Sequence, residues 1–443
     1  EEGLTMKVET VRTKDGKVEL AAELSKKEVA KEMHRIAEFE IARHNYKLGI
    51  NDDDPVEFLR KHLGYDEASF VFDEGIMRHR TPFALTAVEI DVIGKPVYKC
   101  LEHASADKPF TFHLVCVPVP DFELESYDPV SITLPTQTVK SAEIDEEIQK
   151  MAQASAVAVT DRSHDVVFKG DKVELAMETT KDGKKVKPLC TDGREYNTGA
   201  LAMPDDFDAA IIGMKVGETK SFTFEGPELE LGPDGKPIME KYQTTVTVKR
   251  IIDMQPPELD DAWAKTTMPD VKSMGDLRKK IEEKLVAKRE DEYNRRAQTL
   301  ASNELAKRLK GDIPDLIYGV AVKEAREQLT SKLREENISL DDYLKKEGVE
   351  KDQLNNVLLM QVRGQLTRQF ALNAYAKHLG LTVEEPDLEA FFESIAPGKA
   401  WQASMDFKQE GRMYAARCAA LRLKASKDAV ANANINTQGA NAS

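Results

Sequence analysis

Cysteine is scarce in this chain of 443 residues, and its four copies stand far apart. Cys100, Cys116, Cys190 and Cys418 form no Cys-x-x-Cys pair, the spacing typical of zinc sites and redox motifs. The pattern favours reduced thiols in a reducing compartment, the cytoplasm, over a disulfide framework. The eight histidines are equally scattered, without HxxxH or HExxH spacing. The sequence therefore predicts no metal and no cofactor.

Long apolar runs and an excess of positive charge are missing as well. No stretch approaches the roughly 18 apolar residues of a membrane-spanning helix, and no apolar signal-peptide segment opens the sequence. The formal net charge is −15, which argues against DNA binding because non-specific binding depends on Lys and Arg neutralising phosphates. The sequence therefore predicts neither a membrane nor a DNA partner.

What is present is a composition typical of globular proteins, with 32% charged and 41% hydrophobic residues. The length of 443 residues predicts about three domains. The chain begins with Glu1 rather than Met, so an upstream segment is one expectation and a native start at Met6 is another.

The first part of the chain alternates short strands with helices. Period-two segments on both sides of the turn 14–17 predict a β-hairpin. Asp54 is predicted to cap a helix, with Glu57 completing a capping box and Gly64 ending the helix. Residues 1–117 are therefore predicted to form an α+β domain.

The residue pattern in the middle of the chain changes twice. Pro118, Pro120 and Pro129 mark an extended linker with one short helix, predicted over 118–158. Residues 159–254 then show short period-two segments separated by Asp-Gly turns. This second stretch is predicted to be a mostly β domain.

The rest of the chain has the periodicity of long helices. Apolar residues at helical spacing over 277–309 predict a helix of about 33 residues, roughly 50 Å long at 1.5 Å per residue. A second long helix is predicted over 354–370. Such lengths predict paired helices or protruding arms, so residues 255–429 are predicted to be an all-α domain. The Asn- and Ala-rich segment 430–443 is predicted to be a disordered tail.

Two short motifs stand out, one in the β domain and one directly after it. They are Gly213-Met-Lys-Val-Gly-Glu and Pro257-Glu-Leu-Asp-Asp-Ala-Trp-Ala-Lys. Together with the order of the three domains, they resemble the bacterial trigger factor family up to about residue 395. The resemblance implies a ribosome-docking N-terminal domain, an FKBP-type prolyl isomerase domain with a short helix, and a C-terminal all-α domain with extended arms that form a cradle. The expected fold class is multi-domain α+β.

The loop before the Asp54 helix departs from the family pattern. Trigger factors carry a G-F-R-x-G-K signature here, and by resemblance its positions correspond to Leu48, Gly49, Ile50, Asn51, Asp52 and Asp53. The basic and aromatic residues are replaced, and the new carboxylates would be repelled by the phosphates of ribosomal RNA. This loop is therefore predicted not to dock on the ribosome. A second basic contact remains open, with a solvated helix face as the other explanation, for Lys26, Lys27, Arg60, Lys61 and His62.

By resemblance, the β domain is expected to use the FKBP mechanism. Such domains speed rotation about X-Pro bonds, whose barrier is about 20 kcal/mol, by enclosing the prolyl ring and stabilising the twisted amide. Phe207 and Tyr196 keep the aromatic character of the pocket, although a core role also explains Tyr196. The aligned pocket positions are Met177, Val186, Lys187, Tyr196, Met203, Pro204, Phe207 and Val246.

Pro204 is the sharpest departure from that pocket. In the family pattern Val-Ile-Pro-Gly, the isoleucine N–H holds the substrate carbonyl, and Pro204 aligns with this isoleucine. Proline has no N–H, and one lost hydrogen bond costs about 0.5–1.5 kcal/mol, up to roughly tenfold in rate. A one-residue gap would instead align Pro204 with the family's own proline. Isomerase activity is predicted to be weak or absent, and no residue is predicted to be catalytic.

The helical domain is expected to bind unfolded chains through apolar side chains that lack a partner in the protein. Met and aromatic groups suit this task because they adapt to irregular partners, and the competing explanation is that each is a core residue. No nucleotide-binding motif is visible, so this binding is predicted to be ATP-independent. The candidates are Met360, Phe370, Tyr375, Phe391, Phe392, Trp401, Met405, Phe407 and Met413.

Three functions are compatible with these residues. The leading one is a trigger-factor-like chaperone that holds unfolded or nascent polypeptides, with a weak isomerase domain and an altered ribosome contact. The second is an active FKBP-type prolyl isomerase whose helical domain only recruits substrate, and the third is an interaction scaffold for one folded partner. The clients and the oligomeric state, monomer or dimer, stay open.

Overall fold

The chain folds into two compact units, Glu1–Thr136 together with Glu292–Ser443, and Gln137–Asp291. The computed structural model describes residues 6–46, 54–160, 163–200, 202–231 and 237–437. No helix within these ranges is long and apolar enough to cross a membrane. The predicted fold class, multi-domain α+β with a helical C-terminal part, is confirmed.

The N-terminal part of the first unit is a four-stranded antiparallel sheet with three helices. Its elements are β1 Lys7–Lys14, β2 Lys17–Leu24, α1 Lys26–Arg43, α2 Pro55–Leu63, α3 Tyr65–Ala87, β3 Val92–Cys100 and β4 Phe110–Pro118. The strand order is β1-β2-β4-β3. Alternate residues of β2 and β4, such as Leu20 and Leu114, form one core with Met33 of α1 and Phe72 of α3.

Local signals place the ends of α2 where the sequence predicts them, with one exception. Asp54 Oδ1 accepts the N–H of Val56 at 2.9 Å, and Gly64 ends the helix with a φ of 86°. The predicted capping box of Glu57 is wrong, because its carboxylate instead accepts the Tyr65 hydroxyl at 3.3 Å. One aspartate alone therefore caps α2.

Two short strands, β5 Glu123–Leu124 and β6 Ser131–Leu134, follow the N-terminal sheet. Leu124, Ile132 and Leu134 are buried in the core of the first unit. The first half of the predicted linker is thus folded into that unit.

The second unit contains a six-stranded sheet and a small helical cluster. Its elements are α4 Ser141–Ala154, β7 Val157–Thr160, β8 Lys172–Lys181, β9 Lys184–Lys185, β10 Thr191–Asn197, α5 Asp205–Ile211, β11 Thr219–Leu231, β12 Pro237–Gln255, α6 Asp261–Thr267 and the first part of α7 Met274–Ala306. The main strand order is β10-β8-β12-β11, with β7 beside β12 and β9 beside β8. Ile144 and Ile148 of α4 pack with Trp263 of α6 and Leu277 of α7.

The remaining elements belong to the first unit. They are β13 Leu309–Lys310, α8 Asp315–Glu335, α9 Leu340–Glu347, α10 Leu354–His378, α11 Glu385–Ile395, α12 Ala400–Gln409, α13 Met413–Ala431 and β14 Asn434–Thr437. The 33 residues of α7 and the 25 of α10 confirm the two predicted long helices. Small residues such as Ala301, Ala371 and Ala425 let α7, α10 and α13 share one buried core.

The predicted disorder after residue 430 is wrong for the residues that the structure describes. Strand β14 pairs with β6 in parallel, with Ile435 opposite Ile132, and the N–H of Asn434 donates to Val130 O at 2.8 Å. Backbone pairing needs no apolar periodicity, which explains why the composition gave no sign of it. Residues 438–443 lie outside the described ranges.

The turn between α12 and α13 touches α3 through a glycine. Gly411 has a φ of +72°, and a Cβ added there would lie 2.5 Å from Phe83 Cγ. The Thr86 hydroxyl donates to Gly411 O at 2.5 Å. The turn thus fits against α3 only without a side chain.

We expect Gly411→Ala to destabilise the first unit more than Gly398→Ala does. Gly398 has the same φ of +72° with open space around it, so this control adds only backbone strain, about 1–2 kcal/mol. At Gly411 the added methyl also displaces Phe83, which adds about 1–3 kcal/mol. Hydrogen exchange of α3 measures the difference, and equal losses in the two variants would contradict the contact.

Candidate functional site

Five aromatic side chains, four from the sheet and Phe207 from α5, pack together in the core of the second unit. The ring of Phe207 is fully buried and lies 5.5 Å from the rings of Tyr196, Phe222 and Phe224, in edge-to-face geometry. The Phe224 ring stacks on Tyr242 at 5.4 Å. Each such pair adds about 0.5–1.5 kcal/mol beyond burial. Phe207 therefore stabilises the core and offers no exposed surface to a prolyl ring in this conformation.

The Tyr196 hydroxyl connects β10 to α5. It donates to Asp208 Oδ1 at 2.7 Å, and Asp208 Oδ2 accepts the N–H of Gly199 at 3.1 Å. Burial, and then the hydrogen bond and charge of Asp208, raise the pKa of Tyr196 above its usual value of 10. The hydroxyl therefore remains a donor, and its burial together with this hydrogen bond favours the core explanation for Tyr196.

Met203 and Pro204 lie directly before α5. Pro204 O accepts the N–H groups of Phe207 and Asp208 at 2.9 and 3.3 Å, so Pro204 supplies the first acceptor of the helix. Its Cγ lies 3.5 Å from the place that a Cβ of Gly226 would take. Met203 packs, partly buried, against the aromatic core. A substrate carbonyl approaching Pro204 meets a backbone nitrogen that has no hydrogen.

The remaining pocket positions divide between core and surface. Met177 and Val246 are buried in the same cluster as Phe207, and Val186 packs partly buried against it. Lys187 is exposed in a 3₁₀ turn. Within the described ranges, no group of three His, Cys, Asp or Glu side chains could hold a metal. Six of the eight aligned positions, all except Lys187 and Pro204, thus lie in or against one packed core.

Three of the predicted client-binding residues are core residues, and their assignment to a binding surface is wrong. Phe370 is fully buried, and its ring stacks on Phe122 at 5.1 Å. Tyr375 is buried with its hydroxyl donating to Asp428 Oδ1 at 2.9 Å. Phe392 is buried between α11 and α13. Helical spacing directs all three toward neighbouring helices, where burial satisfies them.

Four more candidates are half-buried. Phe391, Phe407 and Met413 pack against the small core of α11, α12 and α13, and the guanidinium of Arg412 lies 4.0 Å above the Phe407 ring. Met405 on α12 is also half-buried. These side chains present only part of their surface to a partner.

Met360 and Trp401 are the candidates that the structure leaves open to solvent. Met360 on α10 is 75% exposed and Trp401 on α12 is 77% exposed. Removing apolar surface from water stabilises a complex by about 25 cal/mol per Å². Both side chains can therefore contribute to binding an apolar segment.

Sequence reasoning missed other exposed apolar residues of the helical region, including Leu359 on α10 and Ile395 at the end of α11. One signal was available: Leu358, Leu359 and Met360 follow one another, and consecutive helical residues point about 100° apart. Leu358 is buried, whereas Leu359 and Met360, the two residues after it, are exposed. A run of adjacent apolar residues in a helix thus indicates surface exposure of some of them.

The predicted ribosome-loop positions 48–53 lie outside the described residues. Two of the alternative basic residues have partners within the N-terminal domain. The Arg60 guanidinium lies 5.7 Å from the centre of the Tyr65 ring, and the His62 ring lies 4.1 Å from that of Tyr46. Lys26 and Lys61 are exposed. This geometry favours the solvated helix face as the explanation.

Two family models match the chain and together cover more than half of it. One is described as "Bacterial trigger factor protein (TF)" and matches residues 54–151. The other is described as "Bacterial trigger factor protein (TF) C-terminus" and matches residues 273–429. The two matches lie in the order that the sequence predicts.

Curated relatives agree with the family models. A protein from Clostridium beijerinckii named "Trigger factor" is 24% identical over 395 residues, 87% of this chain and 88% of the relative. Another of the same name, from Agathobacter rectalis, is 22% identical over 343 residues, 76% of this chain and 74% of the relative.

A solved structure is also similar, with 17% identity, a TM-score of 0.39, and coverage of 96% of this chain and 99% of that one. It is described as "Promiscuous Substrate Recognition in Folding and Assembly Activities of the Trigger Factor Chaperone". With both family models and the curated relatives in agreement, the chain belongs to the bacterial trigger factor family.

Proposed function

We propose that the chain is an ATP-independent chaperone that holds unfolded or nascent polypeptides on exposed apolar side chains of its helical region. The observation that carries this proposal is the exposure of Met360 and Trp401, about three quarters of each side chain. Both lie on helices within the C-terminal family match. Membership of the trigger factor family supports the same function.

The chemistry of these two side chains suits clients of varied sequence. The Met360 thioether is flexible and polarisable, and the Trp401 ring offers a broad apolar surface. Neither requires a particular hydrogen-bond partner deep in a pocket, so recognition depends on apolarity rather than on a defined sequence. A scaffold for one folded partner would need a more specific surface.

We expect a Met360→Ser, Trp401→Ser double variant to suppress the aggregation of an unfolded model protein about tenfold less effectively than the natural chain. A large apolar side chain that a client covers completely contributes about 1.5–3 kcal/mol to the binding free energy. A client that covers the side chain only in part gains less, so the loss in the double variant is smaller than the sum for two fully covered side chains. Light scattering over a range of chaperone concentrations measures the effect.

The matched control is a Val97→Ser, Leu101→Ser variant. These residues are 70% and 84% exposed but lie on the N-terminal sheet and the loop after it. The control should retain full activity. If both double variants lose activity equally, the helical region has no special part in binding.

Ribosome docking through residues 48–53 is proposed to be lost, because Ile50 and Asp53 stand at the Arg and Lys positions of the family signature and Asp52 adds a second carboxylate. We therefore expect no salt-sensitive co-sedimentation with ribosomes that depends on residues 48–53. The test compares the natural chain with Asp52→Arg, Asp53→Lys. Binding of the natural chain that requires residues 48–53 would contradict the proposal, and a gain of binding in the variant would support it.

A further inference from the structure

A groove lies between α1 and α3 of the first unit, and the turn after α12 forms part of its rim. The helices approach closely at Gly75, where an added Cβ would lie 2.7 Å from Ile36 Cδ1. Beside this contact is a pocket of about 570 Å³. Its apolar lining consists of Ile36, Phe39, Val71, Gly75 and Pro82.

The polar lining of the groove is rich in arginine. Arg35, Arg43, Arg78 and Arg412 line it together with His79, against the three acidic residues Glu40, Glu74 and Glu410. The whole chain, in contrast, carries a formal charge of −15. The groove is therefore a locally cationic surface on an acidic protein.

The layer beneath the groove leaves this excess of one arginine unchanged, because its Arg80 offsets its Glu32. The Glu32 carboxylate is shared by Arg35 at 2.8 Å, His79 at 2.9 Å and Arg80 at 2.7 Å. Arg80 is buried, and among the described residues its Nε and Nη1 have no hydrogen-bond partner. Glu32 thus offsets the charge of Arg80, and the four arginines of the lining still outnumber its three glutamates by one.

The arginines at the rim can accept a further anion. Arg78 contacts Glu74 at 2.5 Å and Arg43 contacts Glu40 at 3.5 Å, each pair on one helix. A guanidinium has five N–H donors, more than one glutamate can use. Exposed ion pairs contribute little to stability, so a ligand carboxylate can join or replace the glutamate at low cost.

We propose that this groove binds an acidic amphipathic segment of a partner protein, with an apolar side chain against Phe39 and Val71 and carboxylates beside Arg43 and Arg78. Grooves with an apolar floor commonly receive amphipathic helices. The excess of positive charge selects acidic over basic flanking residues. Neither Met360 nor Trp401 lines this groove, and the proposal does not depend on the chaperone function.

The test uses the full chain and two fluorescein-labelled peptides of about 16 residues, long enough for four helical turns. Both carry Leu and Phe at helical spacing, and one has Glu and the other Lys at the remaining positions. Fluorescence anisotropy should show the Glu peptide binding at least about tenfold more tightly at low salt, with a smaller difference at high salt because ions screen exposed charges. Equal binding of the two peptides overturns the proposal.

Two pairs of variants locate the binding. Phe39→Ala should weaken the Glu peptide about tenfold, whereas Phe70→Ala, with 64% exposure against 59% for Phe39, should not. Arg78→Glu should abolish the preference for Glu over Lys. Its control is Lys150→Glu, which breaks a comparable exposed ion pair on α4, the contact of Lys150 with Glu146 at 3.0 Å.

The other outcomes are equally decisive. If Phe70→Ala weakens binding as much as Phe39→Ala, or if Met360→Ser, Trp401→Ser abolishes it, the peptide binds elsewhere and the proposal fails. If the peptides do not bind and Phe39→Ala instead abolishes self-association in sedimentation, the occupant is a second copy of the chain and the proposal also fails. Loss of aggregation suppression alone would contradict only the chaperone function, because the peptide titration is read separately.

Discussion

Glu32→Gln is expected to lower the free energy of opening of α1 and α3 by about 3–5 kcal/mol, the usual cost of removing one partner from a buried ion pair. Glu32 and Arg80 are both nearly inaccessible to solvent, and their charged atoms lie 2.7 Å apart. Arg80 already has two nitrogens without partners among the described residues. Without the Glu32 carboxylate, the buried positive charge of Arg80 would lose the negative charge that offsets its desolvation.

Hydrogen exchange read by mass spectrometry on peptides from α1 and α3 measures this effect in the full chain. Glu38→Gln is the control, because Glu38 lies on the same helix, pairs with His34 and is exposed; its loss should be below about 0.5 kcal/mol. A Glu32→Gln, Arg80→Met double variant should recover most of the lost stability. Equal, small losses for Glu32→Gln and Glu38→Gln would contradict the account.

The same cluster gives the first unit a defined acid sensitivity. Burial alone would raise the pKa of Glu32, but the hydrogen bond from His79 and the charges of Arg80 and His79 outweigh it and lower the pKa from 4.5 to about 2. Because the pKa of Glu32 is lower in the folded than in the unfolded protein, the ionised carboxylate stabilises the fold at pH values above the unfolded pKa. This contribution to stability is lost as the pH falls from about 4.5 toward 2 and Glu32 takes up a proton. The Glu32→Gln variant should lack this part of the pH dependence.

Prolyl isomerase activity on a tetrapeptide is expected to be at least about a hundredfold lower, in kcat/KM, than that of an FKBP domain with a complete aromatic pocket. Each large apolar wall that is lost removes about 1–2 kcal/mol of ring binding, and about 1.4 kcal/mol is tenfold in rate. By resemblance to the family, Met177, Val186 and Val246 are expected at pocket positions that are aromatic in active FKBP domains. The two aromatics that remain, Phe207 and Tyr196, are both buried.

Pro204→Ile separates the two causes of this weak activity. The variant restores a backbone N–H, which is worth up to roughly tenfold if it acts only in the transition state. The remaining loss in kcat/KM, which the replaced pocket residues are expected to cause, should persist in this variant. A protease-coupled assay of both proteins checks this, and an efficiency of the natural chain equal to that of an ordinary FKBP domain would contradict the proposal.

Local signals in the sequence were sufficient for much of the fold. Asp54 and Gly64 mark the ends of α2 because capping depends on neighbouring residues alone. The apolar spacing over 277–309 matches α7 because a helix must present a continuous stripe to its neighbours. Strand β14 was missed because it pairs with β6, which lies far away in the chain. The residues of 434–437 themselves carry no pattern that predicts this pairing.

The candidate sites were harder to predict, for a different reason. Residue type shows that Phe370 and Trp401 are both large and apolar, but only packing decides that Phe370 is buried and Trp401 exposed. The groove at Phe39 escaped notice because its arginines come from α1, α3 and a distant turn. Exposure and charge clustering are properties of the assembled fold.

Trp401 fluorescence tests the central claim most directly. The chain has two tryptophans, Trp263 and Trp401, and Trp263 is buried with its indole N–H unpartnered among the described residues. A Trp263→Phe variant therefore leaves one reporter on the proposed surface. The probe is a permanently unfolded protein without tryptophan, added in the absence of ATP, with the folded form of the same protein as control.

The account predicts that the unfolded chain shifts Trp401 emission to shorter wavelength and protects it from iodide quenching, while the folded form does neither. Covering an exposed indole with apolar side chains requires both changes. Binding of the unfolded chain, measured independently, with unchanged emission and unchanged quenching would contradict the claim that the exposed helical side chains hold the client.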